Sequence, residues 1–213
     1  MPHPELPRLL RQRMQSPLPG REAQRNYEPS LSFGRHFAPP PASARPAAVI
    51  ALLYPGDNGW HIPLTLRPPT MADHAGQISF PGGAIEVGET SDQAALRELE
   101  EELGVRDEEI DMLGQLTPLN LFVTNFAVRP WLAVLQHRPE LVPCEREVAE
   151  VLEVPVTSLL DPANSGVHDR QHRALQFKVP HFQWQDHCVW GATAMMLAEL
   201  VEIVREAVES PEG

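Results

Sequence analysis

Residues 82–105 read GGAIEVGETSDQAALRELEEELGV. Within them the spacing predicts a helix over 91–103: the residues are good helix formers, Thr90 is available as N-cap, Gln93 stands where it closes a capping box, and Gly104 follows the last turn. Four carboxylates, Glu98, Glu100, Glu101 and Glu102, crowd the end of that helix. At about 100° per residue, Glu98, Glu101 and Glu102 project from one face, whereas Glu100 points about 160° away from Glu102. Like charges three and four apart repel, and the negative end of the helix dipole opposes acids there. Local stability therefore does not favour the arrangement. A solvated acidic face is the ordinary reading of such a run. A hard divalent cation removes the conflict, since Mg²⁺ or Mn²⁺ takes carboxylate oxygens and keeps positions open for water and phosphate.

Outward from this segment, the 213 residues suit one full-sized domain with an extension. With 42% hydrophobic and 22% charged residues the chain has the composition of a folded globular protein. Its 17 basic against 29 acidic residues, a net charge of −12, argue against binding nucleic acid through a broad cationic face. Cys144 and Cys188 form no CxxC pattern, which disfavours a disulfide scaffold or a structural zinc site. No apolar run is long enough for a membrane span, and the first residues lack the apolar stretch of a signal peptide, so the expectation is a cytoplasmic protein without membrane contact.

Residues 1–46 carry ten prolines and seven Arg against three Glu. They read as a Pro/Arg-rich, surface-wrapping arm, within which Glu5 to Met14 could form a short helix with Leu6, Leu9 and Leu10 on one side. Residues 47–210 are expected to form the domain proper. Ala47–Tyr54 and Trp60–Leu66 flank Pro55-Gly56-Asp57-Asn58-Gly59 as a hairpin, Phe126–Leu135 and Val148–Val154 read as further strands, and a helix is expected from Gly191 to Val208. The apolar stripe Leu197, Leu200, Val201, Val204 and Val208 suits core packing. His168 and His172 fall in an expected loop.

The 82–105 segment resembles the Nudix hydrolase box: a glycine, five residues, Glu, seven residues, then Arg-Glu-apolar-x-Glu-Glu-x-Gly-apolar. Gly83, Glu89, Arg97, Glu98, Leu99, Glu101, Glu102, Gly104 and Val105 fill every defined position. The resemblance implies an α/β fold, an α/β/α sandwich around a mixed sheet, and a divalent-metal-dependent hydrolase of nucleoside diphosphate derivatives. It makes Glu98, Glu101 and Glu102 metal ligands, with the Gly82 carbonyl a further donor, and Mg²⁺ or Mn²⁺ the cofactor. Glu98 becomes the leading group to position or deprotonate the attacking water, with Glu147 or Glu150 as alternatives; Arg97 becomes an orienting residue supported by Glu89.

Leu64-Thr65-Leu66-Arg67 and His74-Ala75-Gly76-Gln77-Ile78-Ser79-Phe80-Pro81-Gly82-Gly83 resemble the extra motif of the coenzyme A pyrophosphatase branch of that family. Thr124–Pro130 and Val189–Ala194 are similar to two further segments of the branch. This implies substrate contacts from Arg67, His74, Gly82 and Gly83, and cleavage of coenzyme A or acyl-CoA. Pro68 and Ala72 depart from the motif, and Ala72 stands where the branch carries a second Arg. Hydrolysis of ADP-ribose or a related nucleotide therefore stays open, as does a non-catalytic nucleotide sensor. The expected partner is a small nucleotide, and a homodimer is compatible with the sequence. Phe182, Trp184 and Trp190 read as packing aromatics.

Overall fold

The computed structural model describes residues 4–69, 76–106, 108–172 and 175–209. At the start of the chain, α1 (Leu6–Arg13) and α2 (Gly20–Arg25) are short helices. Pro7 sits in the first turn of α1, where a missing N–H leaves no helical hydrogen bond unmade. Leu6, Leu10, Ala23 and Gln24 are buried, so the Pro/Arg-rich segment contributes side chains to the interior.

β1 (Arg45–Gly56) and β2 (Gly59–Leu66) form the hairpin, turned by Asp57 and Asn58. They pair only from Tyr54–Gly56 to Gly59–His61 and then diverge. β3 (Ile78–Ser79) follows β2, and β4 (Gly82–Ala84) follows β1, which leaves a fork in the sheet. α3 (Ser91–Leu103) comes next, then β5 (Asp111–Gln115), β6 (Leu119–Leu121) and β7 (Phe126–Val134). β7 runs parallel to β1, whereas β5 and β6 pair with β7 antiparallel, so the sheet is mixed. β8 (Glu150–Pro155) adds to the free side of β2 and leads into α4 (Val156–Leu160).

β9 (Ser165–His172), β10 (Leu175–Trp184) and β11 (His187–Trp190) make a second, antiparallel sheet, and α5 (Gly191–Glu209) ends the described chain. His168 thus lies in a strand and not in the expected loop. The run Ser-Gly-Val-His-Asp-Arg-Gln-His has no apolar alternation, and its extended form comes from pairing with β10. Phe182 is buried and stacked on Tyr27 with ring centres 4.2 Å apart, a packing role as read from the sequence.

Successive residues of β1 face opposite layers. Ala48, Ile50, Leu52 and Tyr54 pack against Ala94, Ala95, Leu99 and Leu103 of α3, while Ala47, Ala51 and Leu53 face α5 and α1. The result is an α/β/α sandwich. Among the described residues no helix is long and apolar enough to cross a membrane.

Candidate active site

α3 is fixed at both ends. The Thr90 N–H donates to the Gln93 side chain at 3.0 Å. Gly104, at φ 68°, donates its N–H to the Glu100 carbonyl at 2.9 Å, a left-handed closure that glycine adopts without strain. With Leu99 and Leu103 anchored in the core, the helix turns Glu98 and Glu102 into the fork between β1 and β2. Gly83 leaves room for the Glu98 carboxylate, since a Cβ there would stand 2.2 Å from one of its oxygens, and Gly82 lets β4 approach β1 closely, since a Cβ there would stand 2.4 Å from the Ala48 carbonyl.

The fork holds a cleft of about 380 Å³ whose lining includes Glu98, Glu102, Glu147, Arg67, Arg45 and Phe126. Glu102 is buried; it accepts from Thr65 Oγ1 at 3.2 Å and from the Gly82 backbone, and its Oε1 lies 4.0 Å from Arg67 Nη1. Burial pushes its carboxyl up to about 7, against the pull of Arg67 and with a further push from Glu98. Glu98 is raised as well, by burial first, with Arg97 opposing and Glu101 and Glu147 adding repulsion. Arg97 organises the flank: Nε meets Glu89 at 2.9 Å, Nη1 meets Glu98 and Glu101 at 2.9 Å each, and Nη2 donates to the Ala84 carbonyl at 3.0 Å. The hydrogen bond to Arg97 holds Glu89 below the usual carboxylate range, helped by the Glu86 N–H.

These positions sort the residues singled out in the sequence. Glu98, Glu102, Arg67, Gly82 and Gly83 meet at the cleft, whereas Glu101 turns to Arg97 outside the lining. Glu100 points away, 3.6 Å from Arg106. Of the two alternative bases, Glu147 lines the cleft and Glu150 faces His187 at 3.3 Å. His74 and Ala72 lie outside the described residues. Arg45 was missed because it ends a Pro-rich stretch; its signal is the alternation Arg45, Ala47, Val49, which continues the strand pattern one step earlier.

Two repelling, partly desolvated carboxylates with Glu147 nearby, and no His or Cys among the described residues of the lining, could hold a hard divalent cation. Among the described residues no three His, Cys, Asp or Glu side chains are gathered at ligand spacing. Elsewhere acids are spent on structure. Buried Glu199 accepts from Thr117 and Gln24, and in a groove of about 510 Å³ between α2, α4 and α5, Glu202 and Glu206 pair with Arg205 and Arg13.

Residues 44–175 match the model of the NUDIX domain. The chain is 36% identical over 143 residues to the uncharacterized Nudix hydrolase NudL of Photorhabdus laumondii, covering 67% of this chain and 76% of that protein. It is 28% identical over 170 residues to the protein named Nudix hydrolase 15, mitochondrial, of Arabidopsis thaliana, covering 75% and 59%. Among solved structures, the Nudix hydrolase RenU from M. smegmatis superposes with a TM-score of 0.51 at 18% identity, over 80% of this chain and 91% of that one, a likeness of fold.

Proposed function

Because the chain belongs to the Nudix family of hydrolases, we propose that it cleaves the diphosphate of coenzyme A or an acyl-CoA, releasing (acyl-)4′-phosphopantetheine and adenosine 3′,5′-bisphosphate. One observation carries the choice of substrate. The segments that resemble the coenzyme A branch, the extra motif over 64–83, the 124–130 stretch and the 189–194 stretch, all supply lining to the cleft: Arg67, Gly82 and Gly83, then Phe126 and Val128, then Ala192 and Thr193. The Thr193 hydroxyl donates to the Ile78 carbonyl at 2.9 Å and ties the last of these to the first.

Members of the family generally use divalent metal ions; here Glu98 and Glu102 would hold Mg²⁺ or Mn²⁺ with the Gly82 carbonyl as a further oxygen donor, while Glu101, paired with Arg97 outside the lining, would not reach the ion. When bound, the ion neutralises diphosphate charge and acidifies water. Glu98 positions the attacking water and takes its proton as oxygen attacks phosphorus and the bridging P–O bond breaks. Arg97, gripped by Glu89, keeps the Glu98 carboxylate oriented. Arg67, whose buried Nε has no hydrogen-bond partner among the described residues, faces the diphosphate.

The test is a comparison of purified protein with Mg²⁺ on CoA and on ADP-ribose. A kcat/KM for CoA at least about tenfold higher is expected, about 1.4 kcal/mol of discrimination. Equal or better cleavage of ADP-ribose would overturn the substrate and leave the hydrolase intact.

A further inference from the structure

Arg45 opens β1, and its register partner on the parallel strand β7 is Phe126. The guanidinium carbon lies 4.1 Å from the centre of the Phe126 ring, and the Arg45 N–H donates to the Asn125 carbonyl at 2.8 Å. Arg45, Ala47 and Val49 alternate along one face of β1 and all line the cleft, as Phe126 and Val128 do from β7. The arginine therefore points into the same space as Glu98 and Glu102. Among the described residues no carboxylate pairs with it, in a chain with 29 acids against 17 bases. Earlier in the chain, Arg11 pairs with Asp111 and Arg13 with Glu206, whereas Arg35, the nearest arginine, stacks on Phe122 and donates to the Leu31 and Ser32 carbonyls. A guanidinium over an aromatic face keeps N–H donors free for an anion.

Position says which anion. Ala48 lies opposite Gly83, the residue that abuts the Glu98 carboxylate. Arg45 stands three residues back along β1, about 10 Å at roughly 3.3 Å per residue. Arg67, by contrast, lies 4.0 Å from Glu102. One cation thus sits at the reacting diphosphate and the other lies along the wall, past Ala47 and Val128. We infer that Arg45, held by Phe126, binds a phosphate group of the substrate other than the two of the scissile diphosphate. On the substrate reading above, on which this inference rests, that group is the 3′-phosphate of the adenosine half. Arg45 then supplies a second phosphate-reading arginine in a chain that has Ala72 where its branch carries one.

The experiment measures kcat and KM for CoA and 3′-dephospho-CoA with wild-type protein, Arg45→Gln, Arg45→Lys and Phe126→Leu, each checked by thermal melting. Wild type should prefer CoA by about tenfold or more, the scale of one charge-assisted contact. Arg45→Gln should cut that preference to within about twofold, by raising KM for CoA while leaving 3′-dephospho-CoA kinetics unchanged. Arg45→Lys should retain part of the preference, and Phe126→Leu should weaken it by freeing the side chain. Equal loss on both substrates, no change on either, or no wild-type preference would overturn the role of Arg45 while the CoA assignment stands. Failure of wild type to cleave either substrate would remove the CoA assignment and this inference together.

Discussion

Glu98 and Glu102 differ from Glu100 and Glu101 by what surrounds them. The sequence spacing places Glu98, Glu101 and Glu102 on one helix face, but of the three only Glu98 and Glu102, about 40° apart around the helix, reach the cleft, while Glu101, about 100° from Glu102, lies at the edge of that face and meets Arg97. Glu98→Gln should lower turnover by about 10²–10⁴, the range for one acid–base group, with the fold unchanged. Steady-state kinetics in Mg²⁺ check this, and Glu100→Gln, facing Arg106, should leave the rate near wild type. Normal turnover by Glu98→Gln would transfer the base to Glu147, which lines the same cleft. Gly83→Ala should also abolish most activity, because its Cβ would occupy the place of the Glu98 carboxylate. Since the displaced atoms are the tip of a side chain, its melting temperature should stay close to wild type, and a large drop would contradict this account.

At the scale of the element, α3 is the piece whose ends were legible from local chemistry. The box of Thr90 and Gln93 and the left-handed Gly104 are found where the spacing predicts them. Thr90→Ala should cost about 1 kcal/mol in urea unfolding. Gly104→Ala should cost at least as much, since it adds a left-handed residue whose Cβ meets that of Val142 at 3.0 Å. A neutral result for Gly104→Ala would mean the last turn can reseat. β9 shows the opposite case: its polar residues carry no period, and the strand exists because β10 supplies hydrogen-bond partners.

Across the whole molecule, α1 and α2 are part of the packing. Leu10 is fully buried within the α5-side core, and Gln24 donates to Glu199 at 2.8 Å inside it. Leu10→Ala should therefore cost about 2–5 kcal/mol, the range for a buried leucine, measured by denaturant titration. A loss under about 1 kcal/mol would show the segment to be a detachable wrapping. Divalent cation acts at the same scale: binding to the native cleft alone stabilises by mass action. Saturating Mg²⁺ should raise the melting temperature of wild type and raise that of Glu98→Gln less.

By itself the sequence determined the helix that carries the carboxylates, the glycines before it and the hydrolase family, because these depend on residues close together on the chain. The α/β class followed from strand-like and helical runs whose periods are also local. The tertiary structure decided the fork between β1 and β2, the burial that drives Glu102 up to about 7, the choice of Glu147 over Glu150 for the cleft, and the meeting of Arg45 with Phe126. Each of these depends on strand register and on which side chains lose water, and both arise from contacts between segments that no local pattern encodes.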